Sequence, residues 1–322
     1  MKPAAALLLP LACLAGVLSH CSKPKDAGPE QLQVDNTKTE LSSEFSGANA
    51  FAHVERIVGY GPRPPASEGF EKMLSDLEKS LADFGWKTTR QKFRAATPDG
   101  PVDFTNLLAR HGSAKPEPDS LPFIIGGHID TKKFSFPFVG ANDGGSSTGV
   151  LLELARVLST DPASAAKVEL VFFDGEEAFR PGITATDGLY GSKYFAQKMA
   201  TRPTWPAAGI VIDIVGDPDY ELHFNPETPE GFASVVERLG AKQNFTKPFK
   251  ASVFPVIDDH VPLQNAGVPC LHLIGQFGSM PYWHKEGDTL DKVKPEMLEK
   301  VGRLVLDFLA EAPQPAAASA EE

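Results

Sequence analysis

The sequence predicts an α/β fold: a three-layer α/β/α sandwich on a mostly parallel, mixed central sheet. Short, mainly apolar runs at residues 123–125, 168–173, 210–214 and 268–274 have the composition of strands buried on both faces. Segments with helical spacing of apolar residues alternate with them, the order that lays helices on both sides of a parallel sheet. Acidic and imidazole side chains recur just after the apolar runs, at the strand ends where such sheets bind ligands.

Taken in order, residues 1–21 read as an export leader: Met1 and Lys2 precede an apolar stretch that ends at Leu18, too short for a spanning helix. Leu18-Ser19-His20-Cys21 has the form of a bacterial lipobox, with His20 where a small residue is expected. Cys21 is then either a lipidated first residue or lost with the leader, and the chain is periplasmic or extracellular in both cases. Residues 22–46 are polar and lack apolar periodicity, which predicts a disordered tether. The domain proper spans 47–312, and the Ala/Pro/Glu-rich residues 313–322 predict a disordered tail.

Within the domain, Phe70, Met73, Leu74, Leu77, Leu81 and Phe84 keep helical spacing, and 104–109 follows as a strand. Further helices are expected at 149–158, 190–199, 230–239 and 296–309. His53, His111 and His223 have no supporting pattern and read as surface residues.

At 322 residues the chain is long enough for one large core plus tails. The net charge of -11 argues against a polyanionic partner, so no nucleic acid is expected, and the membrane enters only through a lipid on Cys21. Of three cysteines, two fall in the leader, leaving Cys270 in an apolar run as a buried, inert thiol with no partner inside the domain.

The chemistry-bearing residues are His128 and Asp130, Asn142-Asp143, Asp174, Glu176-Glu177, Asp213 and Trp283-His284. Singly, an acid at a strand end is commonly a helix cap. As a set they provide the oxygen and imidazole donors that a catalytic zinc requires around one open position. Adjacent Glu176 and Glu177 need not share a role, since on a loop one can bind metal while the other moves a proton.

Gly127-His128-Ile129-Asp130, Gly140-Ala141-Asn142-Asp143, Asp174-Gly175-Glu176-Glu177-Ala178-Phe179, Leu189-Tyr190-Gly191-Ser192, Asp258-Asp259-His260, Val268-Pro269-Cys270-Leu271-His272-Leu273-Ile274 and Trp283-His284 occur in this order. In these motifs the chain resembles the zinc aminopeptidase family and, within it, the glutaminyl cyclases. The resemblance implies a zinc-exopeptidase-like fold and one Zn2+ held by Asp143, Glu177 and His284. It implies Glu176 as general acid/base, with Asp213 and Asp258 as further catalytic acids. Trp283, His272 and Phe277 are the implied substrate-binding residues.

The implied reaction is that of a glutaminyl-peptide cyclotransferase, an acyltransferase. It converts the N-terminal glutamine of peptides or proteins to pyroglutamate and releases ammonia. The alternative on the same scaffold is a secreted aminopeptidase with two zinc ions, to which His128 and Asp213 are added as ligands. Asp258, Trp283 and the long loop after Glu177 favour the cyclase. A second tryptophan usual in cyclases is missing from Phe179-Arg180-Pro181-Gly182-Ile183, where Ile183, or Phe277 from another loop, can supply the apolar contact. A third alternative, an inactive peptide-binding module, would require a missing ligand or base, and none is missing.

Overall fold

The computed structural model describes residues 40–312. The leader, most of the expected tether and the tail lie outside the described residues. The elements run α1 (Gly47–Val58), α2 (Glu68–Asp83), β1 (Trp86–Thr97), β2 (Gly100–His111), β3 (Phe123–His128), α3 (Gly145–Ser159), α4 (Pro162–Ala165) and β4 (Val168–Phe173). They continue with α5 (Tyr190–Met199), β5 (Ala208–Asp213), β6 (Leu222–Phe224), α6 (Glu230–Lys242), β7 (Lys250–Ala251), α7 (His260–Asn265), β8 (Cys270–Gly275) and α8 (Pro295–Glu311).

One eight-stranded sheet has the order β1-β2-β4-β3-β5-β8-β6-β7. Strands β4, β3, β5 and β8 form its parallel centre, so their carboxyl ends open on one rim. Strands β1 and β2 extend one side antiparallel, and β6 pairs antiparallel with β8 on the other. Successive side chains of a strand point to opposite faces. Ile125, Leu170 and Ile210 accordingly join the core beneath α1, α3 and α8, while Ile124, Val171 and Val211 pack with Phe195 of α5 and Leu263 of α7. These two cores make the three expected layers.

Six elements escaped the sequence-based expectation: α1, α4, α7, β1, β6 and β7. After the buried Trp86, strand β1 runs through half-buried and exposed positions and is rich in polar residues, as befits an edge strand. Helix α1 buries Gly47, Ala50, Val54 and Ile57, a correctly spaced stripe whose small members hide it. The close approach of α1 to α3 requires glycine at 149, because a Cβ there would lie 2.5 Å from Val54 Cγ2 and 2.6 Å from the Ala50 carbonyl oxygen. Helix α7 is only six residues long.

The tether predicted to reach residue 46 ends earlier. Leu41–Glu44 form a 3-10 turn, Phe45 is buried, and Ser46 caps α1 by accepting from the Asn49 amide at 3.2 Å. Phe45 lies over Gly302 of α8, where even a methyl group would fall 2.1 Å from the ring. A lone aromatic in a polar stretch gives no periodicity, so its docking is a tertiary event. His223, expected at the surface, is buried in β6 with Nε2 2.8 Å from Glu221. Among the described residues no helix is long and apolar enough to cross a membrane.

Candidate metal centre and catalytic cavity

The rim of the parallel strands gathers most of the sequence-predicted site. His128 ends β3 and Asp213 ends β5, while Glu176 and Glu177 follow β4 through Gly175, whose φ of 69° suits glycine. Asp143 lies in the turn before α3. That turn closes tightly over β3 because Gly144 has no side chain: a Cβ there would sit 3.0 Å from His128 Cε1. His284 adopts a left-handed φ of 54° in the segment after β8. A non-glycine residue held there marks a constrained position.

Asp143 is the hinge of the donor set. His284 Nε2 lies 3.2 Å from Glu177 Oε1 and 3.4 Å from Asp143 Oδ2. On the other side, His128 Nε2 lies 3.1 Å from Asp143 Oδ1 and 3.0 Å from Asp213 Oδ1. Two groups of convergent donors result, Asp143-Glu177-His284 and His128-Asp143-Asp213. Asp143 Oδ2 is buried yet accepts no hydrogen bond. A carboxylate oxygen in that state, facing an imidazole and a second carboxylate, fits a divalent zinc, whose binding removes the penalty of an unpaired acceptor. Burial opposes the charge on Asp143, but His128 and His284 hold its carboxyl well below the usual range. Burial likewise opposes protonation of His284, and the nearby Asp143 and Glu177 carboxylates raise it to about 9.

Glu176 lines a cavity of about 320 Å³ with Asp213, Asp258, Ile183, Phe277 and Trp283. Burial pushes the Glu176 carboxyl well above the usual range, with Glu177, Asp258 and Asp259 adding to the effect against His128. Asp213 is raised to about 6, chiefly by burial. Asp258 moves oppositely: burial would raise it, but His272, whose Nε2 lies 2.6 Å from Asp258 Oδ2, holds it below its ordinary value. Trp283 stacks on His284 at 4.1 Å between centroids and leans on Phe277 at 4.7 Å.

His272 departs from its expected place. It is fully buried in β8 and stands behind Asp258, stacked on His260 at 4.1 Å, so it reaches the cavity through Asp258 and does not itself line it. The mid-strand position turned its ring toward the core.

Four supporting residues had no role assigned from sequence. The Asp130 carboxylate accepts from the Glu176 and Glu177 amides at 3.2 and 3.3 Å and thereby sets the turn that separates the two glutamates. Lys132 is buried, with Nζ 3.3 Å from Glu177 Oε2 and 2.5 Å from the Ala178 carbonyl oxygen. The Asp288 carboxylate accepts from the Asn142 and Asp143 amides at 2.8 and 3.1 Å. Arg63, fully buried, donates to the carbonyls of Gly61, Ile129, Val139 and Gly140 and so pins the segments on either side of the centre. The His128-Ile129-Asp130 spacing was visible in the sequence, whereas nothing there ties Arg63 or Asp288 to the site.

An α/β/α sheet carrying carboxylate and imidazole donors on the rim of its parallel strands defines a metal-dependent enzyme of the exopeptidase type. The profile of Peptidase family M28 matches residues 106–309. The chain belongs to that family, and among its relatives are glutaminyl-peptide cyclotransferases. It is 32% identical to a glutaminyl-peptide cyclotransferase-like protein of Bos taurus, covering 84% of this chain and 82% of the relative. The glutaminyl cyclase of Porphyromonas gingivalis superposes with a TM-score of 0.75 at 28% identity, covering 85% of this chain and 99% of that one. A leucine aminopeptidase precursor from Bacteroides thetaiotaomicron shares the fold, with a TM-score of 0.73 at 23% identity and coverage of 84% and 98%.

Proposed function

We propose that this chain is a zinc-dependent glutaminyl-peptide cyclotransferase. The observation that carries the reading is the cavity, which sets a buried, free carboxyl, Glu176, beside the donor set Asp143, Glu177 and His284 and roofs both with Trp283, Phe277 and Ile183. A glutamine side chain has an apolar stem and a polar amide end, and this arrangement offers a matching surface to each. Zinc, when bound by Asp143, Glu177 and His284, supplies the Lewis acid that draws electrons from the side-chain carbonyl.

Glu176 removes a proton from the α-amino group as that nitrogen attacks the side-chain carbonyl carbon. A C–N bond forms to close the ring, and the bond to the amide nitrogen breaks. The same carboxyl returns the proton to that nitrogen, which leaves as ammonia. A carboxyl raised by burial suits both directions of transfer, because its proton affinity lies nearer those of the groups it serves. Asp258, kept anionic by His272, holds the amine, and Asp213 bonds the departing nitrogen. The walls of Trp283, Phe277 and Ile183 exclude water that would compete with the amine.

The second reading, a dinuclear aminopeptidase, is favoured by the convergence of His128, Asp143 and Asp213. One experiment separates the two: incubation with Gln-Ala and Leu-Ala together with a count of zinc per chain. Ammonia from Gln-Ala with one zinc supports the cyclotransferase. Free leucine with two zincs overturns it.

The chain is also read as exported, from Met1-Lys2 and the apolar run that precedes Cys21. Mass spectrometry of the mature amino terminus distinguishes a lipidated Cys21 from plain cleavage.

A further inference from the structure

Beside the catalytic cavity lies a second concavity of about 520 Å³, between α5 with the segment before it and α7. Leu189, Ala196 and Ala200 line one wall, and Val261, Pro262 and Ala266 the other. Ile183 and Ile257 line both concavities and form the saddle between them. Four large apolar side chains are exposed among the described residues: Val253 at 78%, Phe254 at 77%, Ile257 at 58% and Trp205 at 44%. The first three share the short segment that ends at the saddle. The indole of Trp205 lies 3.8 Å from where a Cβ of Gly267, the chain neighbour of Ala266, would stand. Apolar lining thus continues from the catalytic cavity over Ile183 and Ile257 into the groove. An exposed Ile257 on the saddle of two adjoining concavities, one of them mainly apolar, marks a recognition surface rather than ordinary surface scatter.

We propose that this groove is an extended substrate subsite that receives the second and third residues of the peptide and selects apolar side chains there. The inference rests on the cyclotransferase reading of the adjoining cavity. Its occupant follows from continuity: a peptide whose amino-terminal residue fills the cavity must leave over a rim, and each further residue advances the chain by about 3.3 Å. Over the saddle of Ile183 and Ile257 the exit leads directly into an apolar groove. Lys193, the cation on this wall, has its ammonium bonded to the carbonyls of Thr184, Ala185 and Gly188, so it closes the loop rather than recruiting an acidic side chain.

The test compares kcat/KM for glutamine amide, Gln-Gly-Gly-amide and Gln-Phe-Leu-amide in the zinc-loaded full chain and in two variants at exposed groove positions, Ala200→Trp and Gln197→Trp. Filling one apolar subsite is worth about tenfold or more. The native enzyme should therefore prefer Gln-Phe-Leu-amide over Gln-Gly-Gly-amide by at least about that factor, mainly through KM, and both variants should bring the ratio toward one. Glutamine amide, which has nothing to place in the groove, is the internal reference. A ratio near one in the native enzyme overturns the subsite while leaving the cyclotransferase reading intact, whereas no turnover of glutamine amide overturns both. A preference that survives in both folded variants overturns the subsite, and so does a groove whose blocking changes only self-association or vesicle co-sedimentation.

Discussion

At the scale of single residues, the centre separates two adjacent glutamates by their surroundings. Asp130 holds both backbone amides, and Lys132 bonds Glu177 but not Glu176. Glu177 is thereby oriented toward His284, while Glu176 stays free in the cavity. Glu176→Gln should lower ammonia release from an N-terminal glutamine peptide by about 10²- to 10⁴-fold with zinc content unchanged, and retained turnover would remove the assignment. Lys132→Met removes the cation that fixes the second oxygen of Glu177. Groups that orient metal ligands typically matter by about 10- to 100-fold in affinity, so chelator competition should show a zinc Kd weakened in that range. An unchanged Kd would make Lys132 a packing residue.

At the scale of elements, two helices decide how the amino-terminal part of the domain docks. Phe45 fits only because residue 302 of α8 is glycine. Gly302→Ala should therefore destabilise by about 1–3 kcal/mol through overpacking, read as a lower denaturant midpoint with activity largely retained. No loss of stability would place Phe45 away from α8. In α1, His53 is half-buried, and burial, with Arg56 adding, lowers it to about 4 from 6.5. A histidine with a depressed folded value binds its proton more readily when unfolded. Its contribution to stability is therefore complete above pH 6.5 and is lost as pH falls toward 4. His53→Gln should flatten the fall in unfolding midpoint over that interval, and parallel curves for the two proteins would refute the link.

At the scale of the whole molecule, the donors come from segments far apart in sequence: β3, the turn before α3, the turn after β4, the end of β5 and the segment after β8. A cation that joins them binds the folded chain and not the unfolded one, so it should stabilise the entire domain. With free zinc at about 100 times Kd the gain is about 2.7 kcal/mol, or roughly 5 to 10 °C in Tm for a domain of this size. Chelation should lower Tm by that amount and abolish turnover, with both restored by zinc. An unmoved Tm and unmoved activity after verified zinc removal would exclude a metal centre here.

The sequence by itself determined the layers, the parallel centre of the sheet and the identity of the donor residues. Those properties reside in local patterns: apolar runs buried on both faces, helical spacing, and acids placed at strand exits. It failed for β1, whose edge position lets polar residues alternate, and for α1, whose apolar stripe is built from small residues. Only the tertiary structure placed His272 behind Asp258, docked Phe45 on Gly302, and enlisted Arg63 and Asp288 in bracing the centre. These are contacts between residues that no local period connects, and their energies depend on burial and close approach. The tertiary structure also gave Asp143 its place between His128 and His284, the arrangement on which the count of zinc ions turns.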